Sequence, residues 1–169
     1  MDRLFAARQA SLLLAFVLAA ATSCGGNETG EWQLPDPQTV TEWFGEDTEA
    51  SLDGNVLEIR GEMDPDHIRR GGTLWIRSGP YFYLFNVHVE QLLRDYPDLA
   101  AIRARTFDAR GNELARALLH RSELSEIRWN EALARASLAQ AEGTENPRLV
   151  ERLVQFGEDH TEFDYRRGE

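Results

Sequence analysis

Four groups of residues in this chain could do chemistry. Glu158-Asp159-His160-Thr161-Glu162 sets an imidazole among carboxylates, a combination suited to general acid–base work or to half of a zinc site. It lacks the HExxH spacing and has no second histidine nearby, and in a strand His160 and Glu162 would share one face with Asp159 on the other. The plainer reading is a solvated helix exit in which His160 meets helix-end carbonyls. Glu62-Met63-Asp64-Pro65-Asp66-His67 alternates oxygen ligands as a calcium loop does. The glycine and terminal bidentate acid of such a loop are missing, and Arg69 and Arg70 follow. A capped turn opened by Asp64-Pro65 explains the same residues. The stretch Gly71 to Phe85 carries Trp75, Tyr81, Phe82, Tyr83 and Phe85. Trp75 and Tyr81 are candidates for stacking on a ligand ring or a partner protein, against the alternative of plain core. The fourth is Cys24, the one thiol in the chain. Neither a GxSxG elbow nor a phosphate-cradling glycine loop is present, and the sequence specifies no cofactor and no metal set.

These residues need elements to position them. Val40, Trp43 and Phe44 are spaced for a short amphipathic helix over 38–45. Asp53-Gly54-Asn55 turns between strands 50–52 and 56–60. A brief helical turn opens at Pro65 and ends at Gly71-Gly72. Thr73 to Arg77 and Tyr81 to Phe85 read as two strands around Ser78-Gly79-Pro80, with Trp75 the aromatic best placed for exposure. Asn86 caps a helix from Val87 to Asp95. Residues 101–107 and 113–119 form a hairpin. Ser122 starts a long helix through Glu142, and Asn146-Pro147 starts another that closes at Gly157. Thr161, Phe163 and Tyr165 alternate as a last edge strand. The order predicts an α+β domain: a mostly antiparallel sheet built from hairpins, with two or three helices packed on one face. A doubly wound parallel sheet fits less well.

At 169 residues one domain is expected, with net charge -11 from 29 acidic and 18 basic residues, all of the latter arginine. The charge is uneven. Residues 25–66 hold twelve acidic residues against Arg60 alone, whereas 67–169 is nearly neutral. No basic patch suited to nucleic acid appears. The division expected is a signal segment at 1–23, an acidic tether with a short helix at 24–49, and one α+β domain at 50–169.

The N-terminus explains the lone cysteine. Arg3 and Arg8 precede an apolar run, Leu12 to Ala21, and Thr22-Ser23-Cys24-Gly25 follows. This order is that of an export signal. It resembles the signal peptide of bacterial lipoproteins, with Ala21-Thr22-Ser23-Cys24 similar to their lipobox, although that family prefers Leu where Ala21 stands. The resemblance implies that Cys24 receives a diacylglyceryl group and becomes the first mature residue. With Gly25 next, it also implies the outer membrane, facing the periplasm, where the host has two membranes. Cleavage after Ala19-Ala20-Ala21, leaving a free thiol, is the alternative for an ordinary secreted chain. A retained anchor is a third, but the run falls short of the roughly 20 apolar residues that span a bilayer.

The function expected is a lipid-anchored envelope protein whose domain works by binding, with the membrane and an envelope protein as partners. The alternative is a tethered hydrolase or metal-dependent enzyme using Asp159, His160 and Glu162, which requires those side chains to converge with another histidine such as His88 or His120.

Overall fold

Asp36 accepts hydrogen bonds from the Gln38 and Thr39 amides, both at 3.3 Å, and so opens the first helix, α1 (Pro37–Phe44). The computed structural model describes residues 32–45 and 47–166. The expected signal segment, Cys24 and the part of the expected tether up to Glu31 lie outside the described residues. From Trp32 onward the chain forms one unit. Val40 of α1 is buried in its core, so this helix belongs to the domain and the tether expected up to residue 49 ends before it.

Gly54, with φ 61°, makes the tight turn between β1 (Thr48–Asp53) and β2 (Val56–Glu62), and Asp53 faces Val56 across it. Two helices follow, α2 (Pro65–Leu84) and α3 (Val87–Asp95). The chain then returns as β3 (Ala101–Phe107), which runs parallel to β2, and turns into β4 (Glu113–His120). The helices α4 (Glu126–Glu142) and α5 (Pro147–His160) lead to the edge strand β5 (Glu162–Tyr165). The sheet order is β1-β2-β3-β4-β5, antiparallel at every seam except β2–β3. This is the α+β class expected, with a mostly antiparallel sheet but five helices.

Much of the added helix comes from residues 73–84, read above as two strands. They form the C-terminal part of α2, because this segment is enclosed between the sheet and α5. A helix buried around most of its circumference is apolar all round and loses the periodicity that separates it from a strand. Gly72 (φ 52°, ψ -133°) interrupts α2 where the turn was expected to end. The long helix begins at Glu126 with Ser125 as its cap, four residues later than expected, and α5 runs past Gly157 to His160.

The sheet has two unlike faces. One buries Leu57, Ile59, Ile102, Ala104, Ala117 and Leu119 beneath Tyr81, Leu84, Val89 and Leu153 of the helices. Each large aliphatic among them contributes about 1.5–3 kcal/mol on burial. The other face turns Glu58, Arg103, Arg105 and Arg116 outward. Gly157 lets α5 approach α2 closely, since a Cβ there would overlap the Tyr81 ring.

Candidate ligand-binding cleft

A cleft of about 390 Å³ opens between α1, the end of β2, and both halves of α2. That volume lies within the range of small-molecule pockets. Its position follows from local chemistry. The Ala50 amide donates to Thr41 Oγ1 at 3.0 Å and fixes α1 against β1, which sets Trp43 and Phe44 on one wall. Asp64 caps α2 by accepting from the Asp66 amide at 2.7 Å, which sets His67 on another. Beyond Gly72 the helix resumes and brings Trp75, Phe82 and Tyr83 to the cleft. Asn86 caps α3 by accepting from the His88 and Val89 amides at 2.9 and 3.1 Å. Its own Nδ2 donates to the Tyr83 carbonyl at 2.6 Å, and His88 reaches the cleft.

The walls carry two imidazole–indole stacks. His67 lies on Trp75 with ring centroids 4.3 Å apart and planes 7° apart, and His88 lies on Trp43 at 5.5 Å and 26°. Trp75 also stacks with Phe82 at 6.0 Å, and Phe44 meets the His88 edge at 6.1 Å. Burial pushes the Tyr83 phenol above its usual range, with the Thr48 side chain pulling the other way. Glu62 and Asp64 are the carboxylates at the cleft. Trp43 and Val87 remain exposed, Val87 one residue before the cleft-lining His88.

A larger hollow of about 500 Å³ lies on the open sheet face, beside Glu58, Arg103, Arg105, Arg116, Glu162 and Asp164. Its charges satisfy one another. Arg105 donates to Glu58 at 2.9 Å and to Glu113, and these carboxylates hold its guanidinium above the usual range. Arg116 donates to Asp164 at 2.8 Å, and Arg60 stands over the Phe107 ring at 4.5 Å. A self-paired charged surface offers a ligand little that is unsatisfied.

The residues suggested by sequence fall in separate places. Asp159 is exposed on the last turn of α5. His160 is half-buried against Phe156, with ring centroids 4.4 Å apart, and its Nδ1 has no partner. Glu162 points to the open sheet face and meets His120 Nε2 at 2.8 Å. The continuation of α5 through Gly157 separates Asp159 and His160 around a helix and leaves Glu162 on a strand, so the three do not converge. Among the described residues no group of three or more His, Cys, Asp or Glu is placed to hold a metal ion. Trp75 and Tyr81 are both buried, which corrects the expected exposure of Trp75: the strand assumed for it is a helix, and His67 and Phe82 cover its faces. Trp75 still lines the cleft, whereas Tyr81 lies in the core between α2 and α5. Trp43, His67 and His88 escaped attention as a set. The available signal was Trp43 on an amphipathic helix inside an otherwise acid-rich stretch.

Comparison with protein-family models, with curated proteins and with solved structures finds no match to this chain.

Proposed function

We propose that this chain is a lipid-anchored binding module of a bacterial cell envelope, held through Cys24 and using the aromatic cleft between α1 and α2 as its ligand seat. The observation that carries the reading is the cleft, where two indoles, each stacked on a histidine, meet Phe82 and Tyr83 around an open volume of about 390 Å³. Aromatic walls with a few polar groups are the usual makeup of a small-molecule site. The enzymatic alternative finds no support in the placement of Asp159, His160 and Glu162. The charge-paired sheet face suits a solvated surface or a contact with an envelope protein.

Two measurements test this. Wild type should partition with the envelope and Cys24→Ala with the soluble fraction; equal partitioning of both would remove the anchor from the reading. A screen of small organic molecules, read on the indole N–H signals of the four tryptophans, should move those of Trp43 and Trp75 while leaving Trp32 unmoved. A screen in which no molecule moves either signal would remove the ligand seat.

A further inference from the structure

The chain holds 18 arginines, and among the described residues none lines the aromatic cleft. Glu62 and Asp64 are there instead. Elsewhere several carboxylates are matched, although others on the surface are not. Glu58, Glu113, Glu131, Glu158 and Asp164 each sit against an arginine within 3.0 Å. Glu62 forms no ion pair among the described residues, and Asp64 has only the Nδ1 of His67 at 3.9 Å. Two carboxylates without an arginine partner thus border a hollow lined by Trp43, Phe44, Phe82 and Tyr83, with Trp75 covered on its faces by His67 and Phe82.

Both features select the same charge. The face of an aromatic ring is the negative end of its quadrupole and attracts a cation placed over it, indole most strongly. A carboxylate at the rim does the same at longer range. Two helices begin at this cleft, and a free helix N-terminus would favour an anion. Here each N-terminus is closed by its own side chain. Asp64 takes the Asp66 amide of α2, and Asn86 takes the His88 and Val89 amides of α3. An anion entering the cleft would find those donors occupied and Glu62 and Asp64 opposing it.

We infer that the ligand of this cleft is a small organic cation of the alkylammonium class, its apolar substituents against Trp43, Phe44 and Phe82 and its charge balanced by Glu62 and Asp64. The inference rests on the reading of the cleft as a ligand seat and adds the charge of the occupant.

The test uses choline and its uncharged isostere dimethylbutanol, which have nearly the same shape. Each is titrated into the full-length protein, with the Trp43 and Trp75 indole signals as readout. Choline should bind about tenfold more tightly than dimethylbutanol, the scale of difference a desolvated cation–ring contact supplies. Glu62→Gln combined with Asp64→Asn should weaken choline several-fold and leave dimethylbutanol unchanged. Asn at 64 retains the helix cap, so the double variant is expected to fold. Equal or tighter binding of dimethylbutanol would overturn the cation inference and leave the ligand seat standing. Failure of both compounds to move either indole would overturn the cation inference, while the ligand seat stands or falls on the wider screen.

Discussion

The His67 imidazole lies face to face with the Trp75 indole, although the two residues are eight positions apart on α2. In an unbroken helix eight residues advance about 12 Å along the axis, too far for ring contact. The break at Gly72 folds the first turns back so that the rings meet. The cleft therefore depends on one backbone conformation.

Gly72→Ala tests this directly. At φ 52°, ψ -133° the backbone is the mirror image of extended chain, a region essentially restricted to glycine. Nothing lies within 4 Å of an added Cβ, so the penalty is conformational alone. We expect a loss of about 1–3 kcal/mol in urea unfolding. Loss of the His67–Trp75 stack should also change the tryptophan near-ultraviolet circular dichroism. Unchanged stability with an unchanged spectrum would show that the break is not required.

Tyr81→Phe should stabilise the domain. The Tyr81 side chain is fully buried, and its hydroxyl has no hydrogen-bond partner. Burial drives its phenol well above the usual range, with the neighbouring Thr161 hydroxyl, which itself donates to the Gly157 carbonyl at 2.8 Å, pulling the other way. Removing a buried, unsatisfied hydroxyl while keeping the ring recovers up to about 1–3 kcal/mol. A higher urea midpoint with an unchanged slope is the expected result; a lower midpoint would reveal a partner for the hydroxyl.

Arg121 gathers the end of α3 and the loop after it. Its Nε donates to the Leu99 carbonyl at 2.7 Å, and its two terminal nitrogens donate to the Leu93 and Tyr96 carbonyls. No other side chain type offers a planar fork with five donors. Arg121→Met should cost about 1–3 kcal/mol in chemical unfolding, and Arg121→Lys should recover only part of it. Full recovery by lysine would mean that charge near the helix end, and not the fork, is what matters.

Acid should loosen α1 before neutral pH changes do. Hydrogen bonds from Thr39, and then from Gln38, hold the Asp36 carboxyl below its ordinary 3.8. A carboxyl depressed in the folded state adds stability that is fully present above its unfolded value and is lost as pH falls through the folded one. The protection of the α1 amides, relative to their intrinsic exchange rates at each pH, should therefore be steady down to about pH 4 and fall below it. Asp108 and Glu131 are also held below their usual range, so the local α1 amides are the proper readout. Asp36→Asn, which caps without titrating, should flatten the profile. A profile identical to wild type would place the acid sensitivity elsewhere.

Much of this architecture is legible in short-range chemistry. Asp53-Gly54-Asn55 marks the first hairpin, Asn86 caps the helix it was expected to cap, and Asn146-Pro147 opens α5. Residues 73–84 misled because Ser78-Gly79-Pro80 looks like a turn. In the fold Gly79 is needed where Met63 Sδ would come within 2.8 Å of a Cβ and Thr106 within 3.1 Å. Tertiary approach, which a local pattern does not encode, decides that segment. The cleft was hidden for a related reason. Trp43, His67, Trp75 and His88 come from three helices, and only the turn at Gly72 and the return of α3 bring them together.

The parallel seam between β2 and β3 has a kinetic consequence. The β1–β2 and β3–β4 ribbons each close over a turn of a few residues and can form on the microsecond scale of hairpins. Joining them requires the chain from Glu62 to Ala101, with α2 and α3 on it, to be drawn into a closed loop. Loop-closure entropy is spent there before the contacts of the seam repay it. On this topology the docking of the two ribbons is expected to be the slow step of folding. Substitutions at the seam, where Ile59 faces Ala104, are then expected to slow refolding more than substitutions in the hairpin turns.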